Sequence, residues 1–187
     1  KKRGYKILSG DLLLPEIISK DLRIAVSLNE KSQSTQLDAK NNLDEDKEAH
    51  LYLAPSQEQA KGRFGRQFFA SKQGGIYMSL HLKPNVPFDE VKPYTLMVAS
   101  SVVKAISRLT GIETDIKWVN DIYYNGKKIA GILTEAISSV ETGLITDVII
   151  GVGINFHVTK FPDDISEKAG SIFSEQPSIT RNQLITE

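Results

Sequence analysis

"IYYNGKKIAGILTEA" (Ile122–Ala136) decides the fold class. Runs rich in β-branched and aromatic residues flank Asn125-Gly126, a pair that two-residue hairpin turns favour because both central positions take positive φ. A hairpin here pairs residues on either side of the turn antiparallel. Working outward, "TDIKWVND" (114–121) precedes it as strand-like sequence, and "LITDVIIGVGINF" (144–156) follows a second turn at "SVETG" (139–143). Hairpins in succession build a largely antiparallel sheet. Upstream, Tyr94, Met97, Val98, Val102, Ala105, Ile106 and Leu109 recur at helical spacing within Phe88–Leu109, and Gly111 follows as a stop. That helix, with Met97 read as core, packs on the sheet, and the fold class is α+β.

Three more strands are expected at "LRIAVSL" (22–28), "HLYLA" (50–54) and "GGIYMSLHL" (74–82). "STQLDAK" (34–40) starts a helix capped by Ser34 or Thr35, and the acidic "NNLDEDKEAH" (41–50) reads as a solvated loop. A short basic strand around Tyr5–Leu8 has no partner before it, and Thr180 caps a helix of about two turns over "RNQLITE". Both ends therefore read as cut, with sequence expected beyond each.

The 187 residues suit one domain, and Lys plus Arg equal Asp plus Glu at 23 each. With net charge zero, no extended basic footprint argues for a generic nucleic-acid-binding domain, and any anion site must be local. The absence of cysteine excludes disulfides, thiolate metal sites and a cysteine nucleophile, and the three histidines lack metal-ligand spacing. No protein metal site is expected. No apolar run approaches the roughly 18 residues of a membrane helix, and no signal-peptide apolar region opens the chain, so a cytoplasmic location without membrane contact is expected.

Four stretches could carry chemistry. "QAKGRFGRQFF" (59–69) reads equally as a basic turn or as an anion loop, in which Gly62 and Gly65 bring backbone N–H groups close and Arg63 adds a forked donor. In "KWVND" (117–121), strand alternation puts Lys117, Val119 and Asp121 on one face, where the lysine and aspartate could meet a charged substrate; Trp118 reads as core. In "GKKIAGIL" (126–133), Lys128 shares a face with Ala130 and Ile132 and so needs solvent or an anionic partner, while Gly131 weakens the strand unless something approaches its backbone. "GVGIN" (151–155) marks either a bulge or a ligand contact.

The order and content of these stretches resemble the biotin protein ligases, whose bifunctional bacterial members also repress transcription. The resemblance runs through Ser34-Thr35-Gln36, the loop Gln57 to Arg66, Gly74 to Ser79, Lys117 to Asp121, Gly126 to Leu133 and Gly151 to Asn155, over residues 22–187. It implies a sheet flanked by helices of the class II aminoacyl-tRNA synthetase and biotin ligase kind, with 22–187 as a catalytic domain lacking its small C-terminal domain. Residues 1–21 resemble the remnant of a winged helix-turn-helix domain and its linker. The implied activity is ligation: biotin and ATP give biotinyl-5′-AMP and pyrophosphate, and a lysine of a biotin carboxyl carrier domain of a biotin-dependent carboxylase then takes the biotin.

By the same resemblance, Arg63, Lys128, Lys117 and Asp121 are catalytic. Ser34, Thr35, Gln57, Lys61, Gly62, Arg63, Lys128 and Gly131 bind biotin, and Arg63, Arg66, Phe68, Asn120 and Asn155 bind the nucleotide. Mg²⁺ would accompany ATP, the parent protein would bind operator DNA through its N-terminal domain, and a homodimer would form with adenylate bound. Three departures stand out: Ala60-Lys61 replaces the family's first Gly-Arg, Gln36 an asparagine and Val119 a proline. Lysine is a point charge where arginine is a fork. The rival readings are a biotin-sensing repressor without catalysis and a lipoate or octanoate transferase, whose Arg-Arg-x-Ser-Gly-Gly-Gly stretch is missing here.

Overall fold

The computed structural model describes residues 11–187; the strand expected at Tyr5–Leu8 lies outside the described residues. Among the described residues seven strands form one sheet: β1 (Ala25–Leu28), β2 (His50–Ala54), β3 (Gly75–Leu82), β4 (Asp115–Lys117), β5 (Asp121–Tyr124), β6 (Lys127–Ser138) and β7 (Ile145–Asn155). Their order is β1-β2-β3-β7-β6-β5-β4. Among the described residues, only β1 and β2 run parallel; every other neighbour is antiparallel. Helices α1 (Pro15–Leu22), α2 (Thr35–Lys40), α3 (Tyr94–Thr110) and α4 (Arg181–Thr186) flank it. The expected α+β class and mixed, largely antiparallel sheet are therefore observed.

Strand alternation divides the sheet into two faces. On one, Leu51 and Leu53 of β2, Ile76 of β3, Ala130 and Ile132 of β6, and Val148, Ile150, Val152 and Ile154 of β7 join Ala99, Val102, Ala105 and Ile106 of α3 in the main core. Burying Ile106 completely contributes about 1.5–3 kcal/mol. The opposite face carries Ser79 and His81 of β3, Glu135 of β6 and Gly151 and Gly153 of β7, and α2 covers part of it, with Ala39 packed among Tyr52 and Ile149. The functional residues lie on this second face.

Several expectations change. Helix α3 starts at Tyr94 rather than Phe88, because Pro93 disfavours the helical conformation for Lys92; residues Phe88–Glu90 form a single 3₁₀ turn. Met97 is 48 % exposed, not core: it lies five residues from Val102, about 140° round a helix of 3.6 residues per turn. Trp118, also read as core, is 78 % exposed, because "KWVND" is not one strand. It is the hairpin between β4 and β5, where Lys117 pairs with Asp121 across the turn. In the stretch expected as linker, α1 places Ile18 in the main core. Asp11 there accepts from the Arg181 backbone N–H and Nε at 2.8 and 3.1 Å, tying the segment to α4. Thr180 caps α4 as expected, in a capping box with Gln183.

The acidic 41–50 segment is not merely solvated. Asp46 is buried and accepts from Tyr52 Oη at 2.8 Å, while its oxygens lie 2.7 Å from both His50 Nδ1 and His81 Nδ1. The other His81 nitrogen meets Asp147 Oδ1 at 2.9 Å, which also accepts from Lys83 Nζ at 2.7 Å. Burial works to raise both carboxyls, but the hydrogen bonds outweigh it and hold Asp46 and Asp147 below the usual carboxylate range.

Candidate active site

The site is built on the glycines of β6 and β7. In β7 an alanine Cβ at Gly151 would sit 2.6 Å from Gln36 Oε1, and one at Gly153 would sit 2.6 Å from Phe68 Cε1 and Cζ. No register shift occurs at these positions in the β7 ladders, so the glycines make no bulge. They admit side chains from α2 and from the basic loop. On β6 a Cβ at Gly131 would lie 3.4 Å from the same Phe68 ring.

A bulge does occur where it was not expected. Ile122 pairs with Ala130 but Tyr123 with Lys128, leaving Ile129 as the extra residue on β6. Ile129 and Ala130 both enter the core. Alternation is thereby reset, and Lys128 faces the same side as Gly131 rather than sharing a face with Ala130 and Ile132, its Nζ being 3.3 Å from the Gly131 Cβ position. Its charge meets Asp121 Oδ1 at 2.7 Å. The bulged end is held by segment 168–170: Lys128 N–H donates to Lys168 O at 2.8 Å and Gly170 N–H to Lys128 O at 2.9 Å.

The basic loop is a small hairpin. Gly62 N–H donates to Arg66 O at 2.7 Å and Phe68 N–H to Ala60 O at 3.0 Å, with Phe64 and Gly65 at φ 58° and 71° making the turn. This folds Phe68 inward over the glycines and leaves Lys61, Arg63 and Arg66 exposed. No carboxylate pairs with any of these three cations among the described residues, and Arg63 lies 5.1 Å from the Phe64 ring centroid. The opposite wall is polar. Gln57 Oε1 accepts from Thr35 N–H at 2.8 Å, Thr35 Oγ1 lies 2.9 Å from Ser79 Oγ, and Ser79 Oγ donates to Gln36 Oε1 at 3.0 Å.

Together these enclose a cavity of about 260 Å³. It brings together Ser34, Thr35, Gln57, Lys61, Gly62, Arg63, Arg66, Phe68, Asn120, Asp121, Lys128 and Gly131. Two expected residues stay outside its lining. Lys117 is exposed, on the β4–β5 hairpin, with its Nζ 5.3 Å from the Tyr123 ring centroid. Asn155 lies two positions beyond Gly153 in β7, buried, with an Oδ1 that has no partner among the described residues. Ser79, Gln67 and Met78 line the cavity without having been picked out. Ser79 could have been found from the alternation of Tyr77, Ser79 and His81 along β3, a polar row opposite Ile76, Met78 and Leu80.

The cavity joins a cationic rim, one lysine–carboxylate pair, glycine floors and a hydrogen-bonding wall, which suits a ligand with an anionic end and a small polar head. Residues 27–155 match the biotin/lipoate A/B protein ligase family. The chain belongs to this family. Among curated family members, it is 34 % identical over 184 residues to the bifunctional ligase/repressor BirA of Bacillus subtilis, covering 92 % of this chain and 55 % of that protein. It is 29 % identical over 126 residues to the biotin–[acetyl-CoA-carboxylase] ligase of Mycobacterium tuberculosis, covering 65 % and 44 %. The chain thus spans about half the length of the curated relatives it matches. The biotin protein ligase of Aquifex aeolicus, solved in complex with biotin and ATP, superposes with a TM-score of 0.71 at 26 % identity over 87 % of this chain and 66 % of that one. The Leishmania major biotin protein ligase in complex with biotinyl-5-AMP shares the fold at TM-score 0.64 and 23 % identity, over 79 % of this chain and 63 % of that one.

Proposed function

We propose that this chain is the catalytic domain of an ATP-dependent biotin protein ligase. The observation that carries the reading is the convergence, in one cavity, of the Thr35–Gln57 wall with the cations Lys61, Arg63, Arg66 and Lys128. The wall suits the ureido head of biotin, and the cations suit the two anions that must meet.

In the first step a biotin carboxylate oxygen attacks the α-phosphorus of ATP, and the bond from that phosphorus to the bridging oxygen breaks, releasing pyrophosphate. Both partners are negative, so the protein's task is to offset repulsion and stabilise charge on the phosphoryl oxygens. Lys128 stands beside the glycine floor for this, and Arg63 and Arg66 line the rim. Phe68 covers the floor and excludes water from the adenylate, and Asn120 and Asn155 serve the nucleotide side. In the second step an acceptor lysine amine, of ordinary pKa about 10.4, attacks the biotinyl carbonyl and displaces AMP after losing a proton. Asp121 Oδ2 is the candidate acceptor of that proton, since Oδ1 is bound to Lys128.

Mg²⁺ accompanying ATP would be held chiefly by the phosphates and water. No group of three His, Asp or Glu side chains among the described residues could hold a metal ion, and the cavity's aspartate is paired with Lys128. Lys117, outside the lining, is assigned to phosphates extending beyond the cavity.

For the protein that carries this domain we propose a biotin carboxyl carrier domain as acceptor, operator DNA as a second partner through an N-terminal domain, and homodimerisation with adenylate bound. A cytoplasmic location is proposed with the ligase reading; no helix among the described residues is long and apolar enough to cross a membrane. Biotin-dependent exchange of labelled pyrophosphate into ATP, followed by transfer to an acceptor domain, tests the activity. No exchange overturns the ligase reading; exchange without transfer favours the sensing repressor; exchange with lipoate or octanoate in place of biotin favours the rival transferase.

A further inference from the structure

The polar wall carries a hydrogen-bond chain whose direction is set by groups that can only accept. Lys40 Nζ donates to Glu135 Oε1 at 2.8 Å, and Glu135 Oε2 accepts from Gln36 Nε2 at 2.8 Å. The same amide nitrogen reaches Ile149 O at 3.2 Å. A carboxylate and a backbone carbonyl only accept, so the Gln36 nitrogen must face them; the flipped amide would set oxygen against two acceptors. Gln36 Oε1 therefore faces Ser79 Oγ and takes its single proton at 3.0 Å. Ser79 is fully buried and has no second proton for Thr35 Oγ1 at 2.9 Å, so Thr35 donates there. The competing contact from Thr35 Oγ1 to Gln57 Oε1 is longer, 3.2 Å, and that oxygen already accepts from the Thr35 N–H at 2.8 Å. Two groups remain for a ligand: a Thr35 Oγ1 lone pair, which can only accept, and Gln57 Nε2, which can only donate.

We infer that Glu135, acting through Gln36 and Ser79, fixes the polarity of the Thr35 hydroxyl and makes the cavity selective for a ligand head that presents an N–H beside a carbonyl. This rests on the biotin reading, and the chemical class is a cyclic urea. A head with no N–H, such as a dithiolane ring, covers the buried Thr35 acceptor and the half-buried Gln57 donor without pairing them, which is the costly outcome once the ligand displaces water. Gln36, the residue that stands where the family has asparagine, is long enough to bridge Ser79 to Glu135, and Gly151 leaves the room it needs. Glu135 and Gln36 are positioning residues, since they act through Thr35.

The test compares two ligands by isothermal titration: biotin, and its cyclopentanone analogue in which methylene groups replace both ureido N–H groups. The wild type is expected to prefer biotin by at least about tenfold, the worth of one well-made hydrogen bond. Gln36→Met keeps the length and removes the amide; Glu135→Gln keeps the shape and removes the stronger of the two acceptors that hold the Gln36 amide in place, leaving only the longer contact to Ile149 O. Each frees Ser79 to donate to Thr35, so that the Thr35 proton no longer points at Ser79 and is shared between Gln57 Oε1, 3.2 Å away, and the ligand. Each is expected to shrink the preference by about tenfold, chiefly through weaker biotin binding. A purely structural role would weaken both ligands alike, so an unchanged ratio in both variants, with wild-type binding of biotin intact, overturns the relay alone. If the wild type binds no biotin, the ligase reading falls and the relay with it.

Discussion

Gly153→Ala tests how the site is assembled. The new Cβ would lie 2.6 Å from Cε1 and Cζ of Phe68, about 1 Å inside the ordinary carbon–carbon contact of roughly 3.5–4.0 Å. The strand cannot give, because β7 is bonded on both sides, to β3 and β6. The ring cannot slide toward β6 either, since it already lies 3.4 Å from the Cβ position of Gly131. Phe68 must lift, and the hairpin that carries it must lift with it. Overpacking of this kind costs about 1–3 kcal/mol, which for a domain of this size lowers Tm by about 2–12 °C. The hairpin's amides, Gly62 and Phe68 first, should exchange hydrogen faster in the variant. Phe68→Ala removes the obstruction, so the Phe68→Ala, Gly153→Ala double variant should lose less stability than the two single losses combined, by at least about 1 kcal/mol. Thermal denaturation of the four proteins decides it. Losses that add to within about 0.5 kcal/mol would refute the claim that Gly153 exists to seat Phe68.

Lys128→Met should lower biotin-dependent pyrophosphate exchange by about 10²–10³-fold, the usual effect of removing one stabiliser of developing charge; exchange near the wild-type rate would remove Lys128 from the chemistry. Arg63→Ala should slow adenylate formation or speed adenylate release, and unchanged values of both would refute its assignment. Asp46→Asn should cost about 1–3 kcal/mol at neutral pH by unbalancing the His81 network. Because the folded Asp46 carboxyl titrates below its ordinary value of 3.8, its contribution is full above that pH and is lost as pH falls through the lower folded value, so the variant should also show a shallower acid limb. Burial pushes the Tyr77 phenol up to about 12, against lowering effects from the Ser71 backbone and Arg181; its contribution is full below pH 10 and lost between there and about 12, so Tyr77→Phe should flatten the alkaline limb of a stability profile.

The sheet was legible in the sequence where local chemistry dictates structure. Asn125-Gly126 adopts positive φ at both residues, 50° and 75°, and the hairpin follows. Thr180 and Gln183 signal their own cap. What was not legible depends on partners distant in the chain. The Ile129 bulge inverts the face of Lys128, and nothing in "GKKIAGIL" marks it, because the extra residue is accommodated by β5 and by Lys168 and Gly170. Asp46 looked like one more hydrated carboxylate until His81, 35 residues on, came to meet it. Trp118 was misplaced for the opposite reason: a strand pattern was extended across a turn that carries no glycine. At the site, charged and glycine residues were found from their motifs, whereas Ser79 and Glu135 act through the geometry of a polar row on the hidden face.

The order of the strands also sets a schedule for the nascent chain. In the central ladder Gly75 is paired with Asn155, roughly 80 residues later in the sequence. At about 5–20 residues per second, the ribosome needs on the order of 4–16 s to deliver β7 after β3. For that interval β3, with Ile76, Met78, Leu80 and Leu82 on one side, has β2 as a neighbour and an open hydrogen-bonding edge on the other. The last long strand to emerge is thus the one that closes the sheet, seats the site's glycines and hides the most adhesive edge, so nucleation, ligand competence and protection from self-association should all arrive together, late in synthesis.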